Sequence, residues 1–136
     1  MTAPLTGKGP VLIVDDSESD ITVAQGCYRR SKLDRELVVL TSGKALLDYL
    51  DAVLAGESEM PAVVLLDINM PGVDGFEALQ RIRSRPEFSD VPVILMLTNS
   101  DSPKDIERAK EFGADGFQVK PLRMRDYVAF FDSLAD

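Results

Sequence analysis

Short apolar runs alternate along this chain with longer segments in which apolar residues recur every three or four positions. Apolar runs of about four to eight residues between polar ones are typical of strands buried on both faces. They predict strands at 11–14, 36–41, 62–66, 91–97 and 116–119. The longer segments have the period of amphipathic helices. They predict helices at about 19–32, 42–56, 74–84, 102–112 and 123–134.

Strict alternation of five strands and five helices predicts one α/β domain over residues 9–136, preceded by a flexible N-terminus over 1–8. Parallel strands joined by right-handed helical crossovers give a doubly wound sheet with helices on both faces. Ser42 and the pair Ser102-Pro103 are expected to cap the second and fourth helices. The residues expected to face the sheet from the first two helices are Ile21, Ala24, Cys27 and Tyr28, and Leu46, Leu47, Leu50 and Leu54.

The last predicted helix carries two apolar stripes, Met124/Val128/Phe131/Ala135 and Tyr127/Phe130/Leu134. Packing on a sheet normally uses one stripe. Two interpretations therefore stay open. Either the helix has one wide buried face, or the second stripe forms a homodimer through helix 4, strand 5 and helix 5.

Polar side chains follow the predicted strands at the points where they end: Asp15 and Asp16, Asp67, Thr98 and Asn99, and Lys120. Ligands in open α/β sheets bind at the carboxyl ends of the strands, so these groups should converge. Two unit charges 4 Å apart repel by roughly 4 kcal/mol at an effective dielectric constant of 20. Three carboxylates together therefore require either a proton or a bound cation. Oxygen ligands favour a hard ion, and Mg²⁺ is the expected cofactor.

Composition narrows the chemistry further. The sequence has no histidine, which excludes Ser/His and Cys/His catalysis and histidine-ligated zinc. A net charge of −8 argues against non-specific binding to nucleic acid or an anionic membrane. The single cysteine, Cys27, cannot form an internal disulfide and is expected in the core, which suits a reducing cytoplasm. No signal peptide or membrane span is expected.

These motifs resemble the receiver domain of two-component response regulators over residues 9–135. The resemblance rests on six pieces in this order: Asp15-Asp16, Asp67 after the run AVVLL, Met70-Pro71-Gly72, Asp74-Gly75, Thr98, and Lys120-Pro121. It implies the sheet order 2-1-3-4-5 and a phosphoryl group accepted on Asp67, with aspartate as nucleophile.

The resemblance also implies a role for each neighbouring group. Asp16 and Asp67 would bind Mg²⁺ directly, Asp15 largely through water, and Asn69 through its backbone carbonyl. Lys120 would pair with Asp67 and then with a phosphoryl oxygen. Thr98 would bond another phosphoryl oxygen, and the ring of Phe117 would turn inward as Thr98 moves. The chain would catalyse only its own phosphorylation and dephosphorylation, so it is not expected to be an enzyme for other substrates.

Two positions depart from the family pattern. Asn99 stands where receivers commonly have a small residue, and it could narrow access to Asp67 or restrict Phe117. Ser100 has neither an acidic nor an amide group. Asn69 and Ser100 flank the expected path of an attacking water, and we predict that they set the rate of phosphoryl hydrolysis.

The expected donor is a sensor histidine kinase or a histidine phosphotransfer protein, because this chain supplies no histidine. No effector domain is expected after the last helix, so the signal would pass to a separate, unidentified protein. With no effector domain expected and phenylalanines in its last helix, the chain resembles the small receivers that pair with bacterial phytochromes. Three alternatives remain: a degenerate receiver that only binds proteins, an aspartyl-nucleophile phosphatase or phosphotransferase, and a flavodoxin-like cofactor binder. Asn69, two residues after the nucleophile, argues against the phosphatase, and the acidic loop after strand 1 argues against a flavin phosphate.

Overall fold

The computed structural model describes residues 8–99 and 101–135. Strands and helices alternate through these residues, as the sequence predicts. Their bounds are β1 Val11–Val14, α1 Glu18–Arg30, β2 Leu37–Leu40, α2 Gly43–Leu54, β3 Val63–Leu66, α3 Gly75–Arg83, β4 Val93–Thr98, α4 Pro103–Glu111, β5 Gly116–Val119 and α5 Met124–Leu134. A short 3-10 helix, Pro86–Phe88, lies between α3 and β4. The predicted flexible N-terminus falls on residues outside the described range, apart from its last residue, Lys8.

All neighbouring strands are parallel, and the sheet order is β2-β1-β3-β4-β5. The predicted doubly wound sheet and the order implied by the family resemblance are therefore confirmed. β1 and β3 lie at the centre and are buried at every position. Such complete burial explains why these strands are continuous apolar runs without polar alternation.

Alternate side chains of the central strands point into two separate cores. Leu12 and Val14 of β1 join the core beneath α2, α3 and α4, whereas Val11 and Ile13 join the core beneath α1 and α5. The period of two follows from the pleat of a strand. Cys27 is fully buried in the second core, as the sequence predicts. None of the helices within the described residues has the length and apolar character needed to span a bilayer.

Three helices begin at a polar cap. The side chains of Ser17, Ser42 and Asp74 each accept a hydrogen bond from the backbone N–H three residues later. Such bonds satisfy one of the N–H groups that a helix leaves unpaired at its start. Ser42 caps α2 as predicted. Ser102 and Pro103 take the expected N-cap and first positions of α4, but the Ser102 side chain does not make the predicted capping hydrogen bond. These caps set where each helix begins relative to the strand end before it.

Two predictions about burial and strand bounds need correction. Leu54 is 47% exposed, although its spacing from Leu50 places it on the buried side of α2. Leu54 lies at the end of α2, where the adjacent Val53 packs against the core instead. The predicted start of the fourth strand is also too early, because Val91 is 45% exposed and β4 begins at Val93.

The two stripes predicted on the last helix do not exist as separate surfaces. One buried line, Tyr127, Phe131 and Leu134, takes members from both stripes. Its centre is fixed by an edge-to-face contact between Tyr28 of α1 and Phe131, with ring centroids 5.3 Å apart. Met124, a member of the first stripe, is 47% exposed. Spacing could not choose between the stripes, because each has helical period, and the choice depends on where α1 packs.

Candidate functional site

The polar groups predicted at the strand ends meet at one edge of the sheet. Backbone hydrogen bonds continue the sheet one residue past each strand: Asp67 N donates to Val14 O over 3.0 Å, and Lys120 N donates to Thr98 O over 2.6 Å. Asp67 and Lys120 are therefore held by sheet geometry rather than by a loop. The polar residues that are buried among the described ones are Asp15, Asp67, Thr98 and Lys120. All four belong to this edge, as predicted.

Three carboxylates lie close enough to share a cation. Asp15, Asp16 and Asp67 each offer an oxygen, and these oxygens lie within 4.8 Å of one another. Asp15 and Asp67 are buried, whereas Asp16 is exposed. The arrangement gives a metal one open side, toward solvent and toward any incoming group. The predicted convergence of the three acids is confirmed, and their roles as ligands stay predictions.

The acids perturb one another as the sequence argument requires. Burial raises the pKa of Asp67 to about 6, from an ordinary value of 3.8. The positive charge of Lys120 is the largest effect that lowers this pKa, and a hydrogen bond from the Ile68 N–H lowers it further. The negative charges of Asp15 and, to a smaller extent, Asp16 raise it. The carboxylate of Asp67 is thus destabilised when no cation is bound. A residue with this environment, in a cleft, is a typical functional group.

Lys120 forms the predicted ion pair with Asp67, but its hydrogen bonds go to other carboxylates. Its Nζ donates to Asp15 Oδ2 over 2.6 Å and to Asp20 Oδ2 over 2.8 Å. Asp67 Oδ1 lies 3.9 Å away, which is an ion-pair distance but too long for a hydrogen bond. Burial lowers the pKa of Lys120, but the two hydrogen bonds and the charge of Asp67 outweigh it, so the pKa lies above its usual range. The ammonium is therefore firmly charged.

Asp20 was missed in the sequence because it lies within a helix and does not follow a strand. It stands in the first turn of α1 and is 37% exposed at its side chain. Acidic residues are common in a first helical turn, where they stabilise the helix dipole. Its spacing alone could not distinguish it from Glu18 in the same turn.

The donor set fits a hard divalent cation. All three candidate ligands supply carboxylate oxygen, which suits Mg²⁺ or Mn²⁺. Asp15 already accepts the Ser17 N–H on Oδ1 and the Lys120 ammonium on Oδ2. On this ground Asp16 and Asp67 would be the better direct ligands, with Asp15 acting through water. That division agrees with the one implied by the family resemblance.

The start of α3 packs directly behind Asp67. A Cβ added at Gly75 would lie 2.2 Å from the Asp67 carbonyl oxygen and 2.8 Å from the Cα of Ile68. Only glycine permits this approach. Gly72 instead adopts a positive φ of 74°, which serves the turn between β3 and α3. The two glycines of the motif therefore have different functions.

The remaining predicted residues differ in their exposure and surroundings. Asn69 is exposed immediately after Ile68, and Phe117 is half-buried against the core beneath α4. Asn99 is exposed and lines a pocket of about 220 Å³ together with Asp20, Lys120 and Tyr127. The prediction for Ser100 lies outside the described residues. Turning of Phe117 and the hydrolytic roles of these residues stay predictions.

Comparison with known proteins gives one consistent family. The model of the response regulator receiver domain matches residues 11–132. Response regulator Rcp1 of Synechocystis sp. is 32% identical over 119 residues, which cover 85% of this chain and 79% of the relative.

Solved structures agree with this match. The Mn²⁺-bound form of response regulator Rcp1 has a TM-score of 0.78 and 28% identity, covering 93% of this chain and 91% of its own. Response regulator RPA3017, of red light signalling in R. palustris, has a TM-score of 0.83 and 30% identity, with 93% and 90% covered. The phosphorylated cyanobacterial phytochrome response regulator RcpA has a TM-score of 0.80 and 25% identity, with 94% and 91% covered.

Proposed function

The chain belongs to the response regulator receiver domain family, and from that membership we propose that it is a phosphoacceptor signalling switch whose acceptor is Asp67. One observation carries the proposal. Asp67 is a buried carboxylate at the end of a central strand, within 4.8 Å of two further carboxylates and 3.9 Å from a buried ammonium. That environment suits a carboxylate nucleophile that attacks phosphorus and becomes an acyl phosphate beside a stabilising positive charge.

In the proposed reaction an Asp67 carboxylate oxygen forms a bond to phosphorus as the bond from phosphorus to the donor imidazole nitrogen breaks. The electron pair of that bond leaves with the imidazole. The product is an acyl phosphate on Asp67. Lys120 supplies positive charge beside the phosphoryl oxygens, and Thr98 supplies a hydroxyl at the end of the neighbouring strand. Such transfers depend on alignment and charge stabilisation more than on proton transfer.

Asp16, Asp67 and the Asn69 carbonyl would hold Mg²⁺, with Asp15 bound through water. When bound, the cation would neutralise charge on the carboxylates and on the phosphoryl oxygens. The Mn²⁺-bound form of Rcp1 supports this assignment, since that relative carries a divalent cation on the same fold.

The signal would leave through helix 4, strand 5 and helix 5. Thr98 is paired with Val119 across β4 and β5, and Met96 with Phe117, so a change at Thr98 would act directly on this edge strand. Phe117 and Phe130 line a surface hollow of about 330 Å³ between β5 and α5. Homodimerisation through this face is part of the proposal. Sedimentation of a monomer both with and without beryllofluoride would remove it.

The donor would be a sensor histidine kinase or a histidine phosphotransfer protein, and the setting the cytoplasm. Two structural neighbours act in red light signalling or with a cyanobacterial phytochrome, which favours a photoreceptor kinase as the donor. The receiver itself would catalyse only its own phosphorylation and dephosphorylation. Its downstream target would be a separate protein.

Intact-mass measurement tests the function directly. The protein is incubated with Mg²⁺ and acetyl phosphate, and one phosphoryl adduct is expected. Asp67→Asn and added chelator should each abolish the adduct. Asp101→Asn, the same substitution at an exposed loop position, should retain it. Absence of any adduct in the wild-type protein would favour a degenerate, protein-binding receiver, and continuous release of phosphate with many turnovers would favour an aspartyl phosphatase.

A further inference from the structure

Lys120 has two hydrogen-bonded carboxylate partners, and one of them, Asp20, is not among the three clustered acids Asp15, Asp16 and Asp67. The Lys120 ammonium makes its two hydrogen bonds to Asp15 and Asp20, both on the β1–α1 side of the site. The separation from Asp67 is 3.9 Å, roughly an ångström longer than an ordinary N–H···O bond. The hydrogen bonds of the ammonium therefore go to the β1–α1 side of the site and not to the phosphoacceptor.

Helix capping does not explain the position of the Asp20 carboxylate. An acidic residue at the third helical position commonly accepts the backbone N–H of the N-cap residue. Here that N–H, from Ser17, donates to Asp15 Oδ1 over 2.9 Å. Asp20 uses its backbone N–H for the cap and directs its carboxylate to Lys120. The side chain thus serves the site and not the helix end.

The two partners of Lys120 differ in how readily they can be released. The side chains of Lys120 and Asp15 are 7% and 6% exposed, and that of Asp20 is 37% exposed. A buried charge that loses its partner carries a large desolvation penalty, whereas water can replace the partner of an exposed one. Asp20 is therefore the partner that Lys120 can give up at low cost.

We propose that Asp20 is a positioning residue that holds Lys120 away from Asp67 in the unmodified protein and releases it when Asp67 carries a phosphoryl group. The inference rests on the proposed phosphoacceptor function. Binding of a phosphoryl group then includes the cost of breaking the contact between Asp20 and Lys120. Removing the Asp20 carboxylate removes that cost, so it should strengthen binding of a phosphoryl mimic.

The first test is the affinity for beryllofluoride in the presence of Mg²⁺, measured by calorimetry. Asp20→Asn should bind about two- to five-fold more tightly than wild type, the range expected for one partly exposed ion pair. Asp20→Glu restores the carboxylate and should return the affinity toward wild type. Glu18→Gln removes an equal charge from the same helical turn without touching Lys120, and it should leave the affinity unchanged. Equal or weaker binding by Asp20→Asn would overturn the inference.

The second test observes Lys120 itself, in metal-free protein. The side-chain ¹⁵N resonance of Lys120 should shift in Asp20→Asn, return in Asp20→Glu and stay in place in Glu18→Gln. It should also shift in the wild-type protein when beryllofluoride and Mg²⁺ are added. An unchanged Lys120 resonance in Asp20→Asn would overturn the inference even if Asp67 is phosphorylated. Failure of wild type to bind beryllofluoride would overturn the proposed function and, with it, the release of Lys120 by Asp20. The metal-free spectra would still show whether Asp20 contacts Lys120.

Discussion

Replacing Asp67 with asparagine should make the metal-free protein more stable at about pH 7. Burial holds the pKa of Asp67 at about 6, above its ordinary value of 3.8. The folded state therefore binds the proton more tightly than the unfolded state does. Stability falls as the pH rises through the interval between these two values, and the loss is complete above the folded pKa. Asparagine has the shape of the protonated acid and does not ionise.

The difference between 3.8 and about 6 corresponds to about 2–3 kcal/mol at 1.36 kcal/mol for each pKa unit. Asp67→Asn should raise the free energy of unfolding by that amount at about pH 7. Most of the gain should disappear by about pH 4, where folded wild type is itself protonated at Asp67. The difference between the two proteins at each pH reports the effect of removing the ionisable group at Asp67.

Urea unfolding followed by far-ultraviolet circular dichroism suits the measurement, because the sequence has no tryptophan. Chelator is present throughout, and Asp101→Asn serves as a control with no expected change. Added Mg²⁺ should then stabilise wild type more than the variant, because a ligand that binds only the folded state adds to stability. Equal stabilities of wild type and Asp67→Asn at both pH values would refute the reasoning, since the acidic cluster would then carry no electrostatic cost.

Four further predictions can be tested alongside it. Gly75→Ala should lower the free energy of unfolding by about 1–3 kcal/mol in urea titrations, because its Cβ would overlap the Asp67 carbonyl; an unchanged midpoint would contradict the close approach. Phe131→Ala should cost about 3–5 kcal/mol, since a fully buried ring is lost between Tyr28 and Tyr127, and a smaller loss would mean that the core collapses to fill the cavity. Calorimetry should show Mg²⁺ binding weaken as the pH falls through about 6, because a proton on Asp67 competes with the metal; a constant affinity would contradict this. Substitution of Asn69 or Ser100 should change the dephosphorylation rate measured by intact mass, and unchanged rates would remove their assigned role.

The fold could be predicted because its central strands are buried on both faces. A run such as that of β1 has no polar position to obscure it, and the polar residue that ends it marks the functional edge of the sheet. Burial of Asp15, Asp67, Thr98 and Lys120 at that edge follows from the same rule. Packing between helices was less predictable, because several apolar faces of α5 have equal period and only contact with α1 selects one.

The site carries more negative charge than the sequence indicated, and Asp20 is the reason. Four carboxylates, from Asp15, Asp16, Asp20 and Asp67, and the Lys120 ammonium together have a formal charge of −3. A bound divalent cation would reduce the charge to −1, and phosphorylation of Asp67 would make it more negative again. Release of the half-exposed Asp20 into solvent is the way to relieve that excess with the least loss of burial. The stability of Asp67→Asn and the mimic affinity of Asp20→Asn therefore measure the same electrostatic imbalance, once before the phosphoryl group arrives and once after.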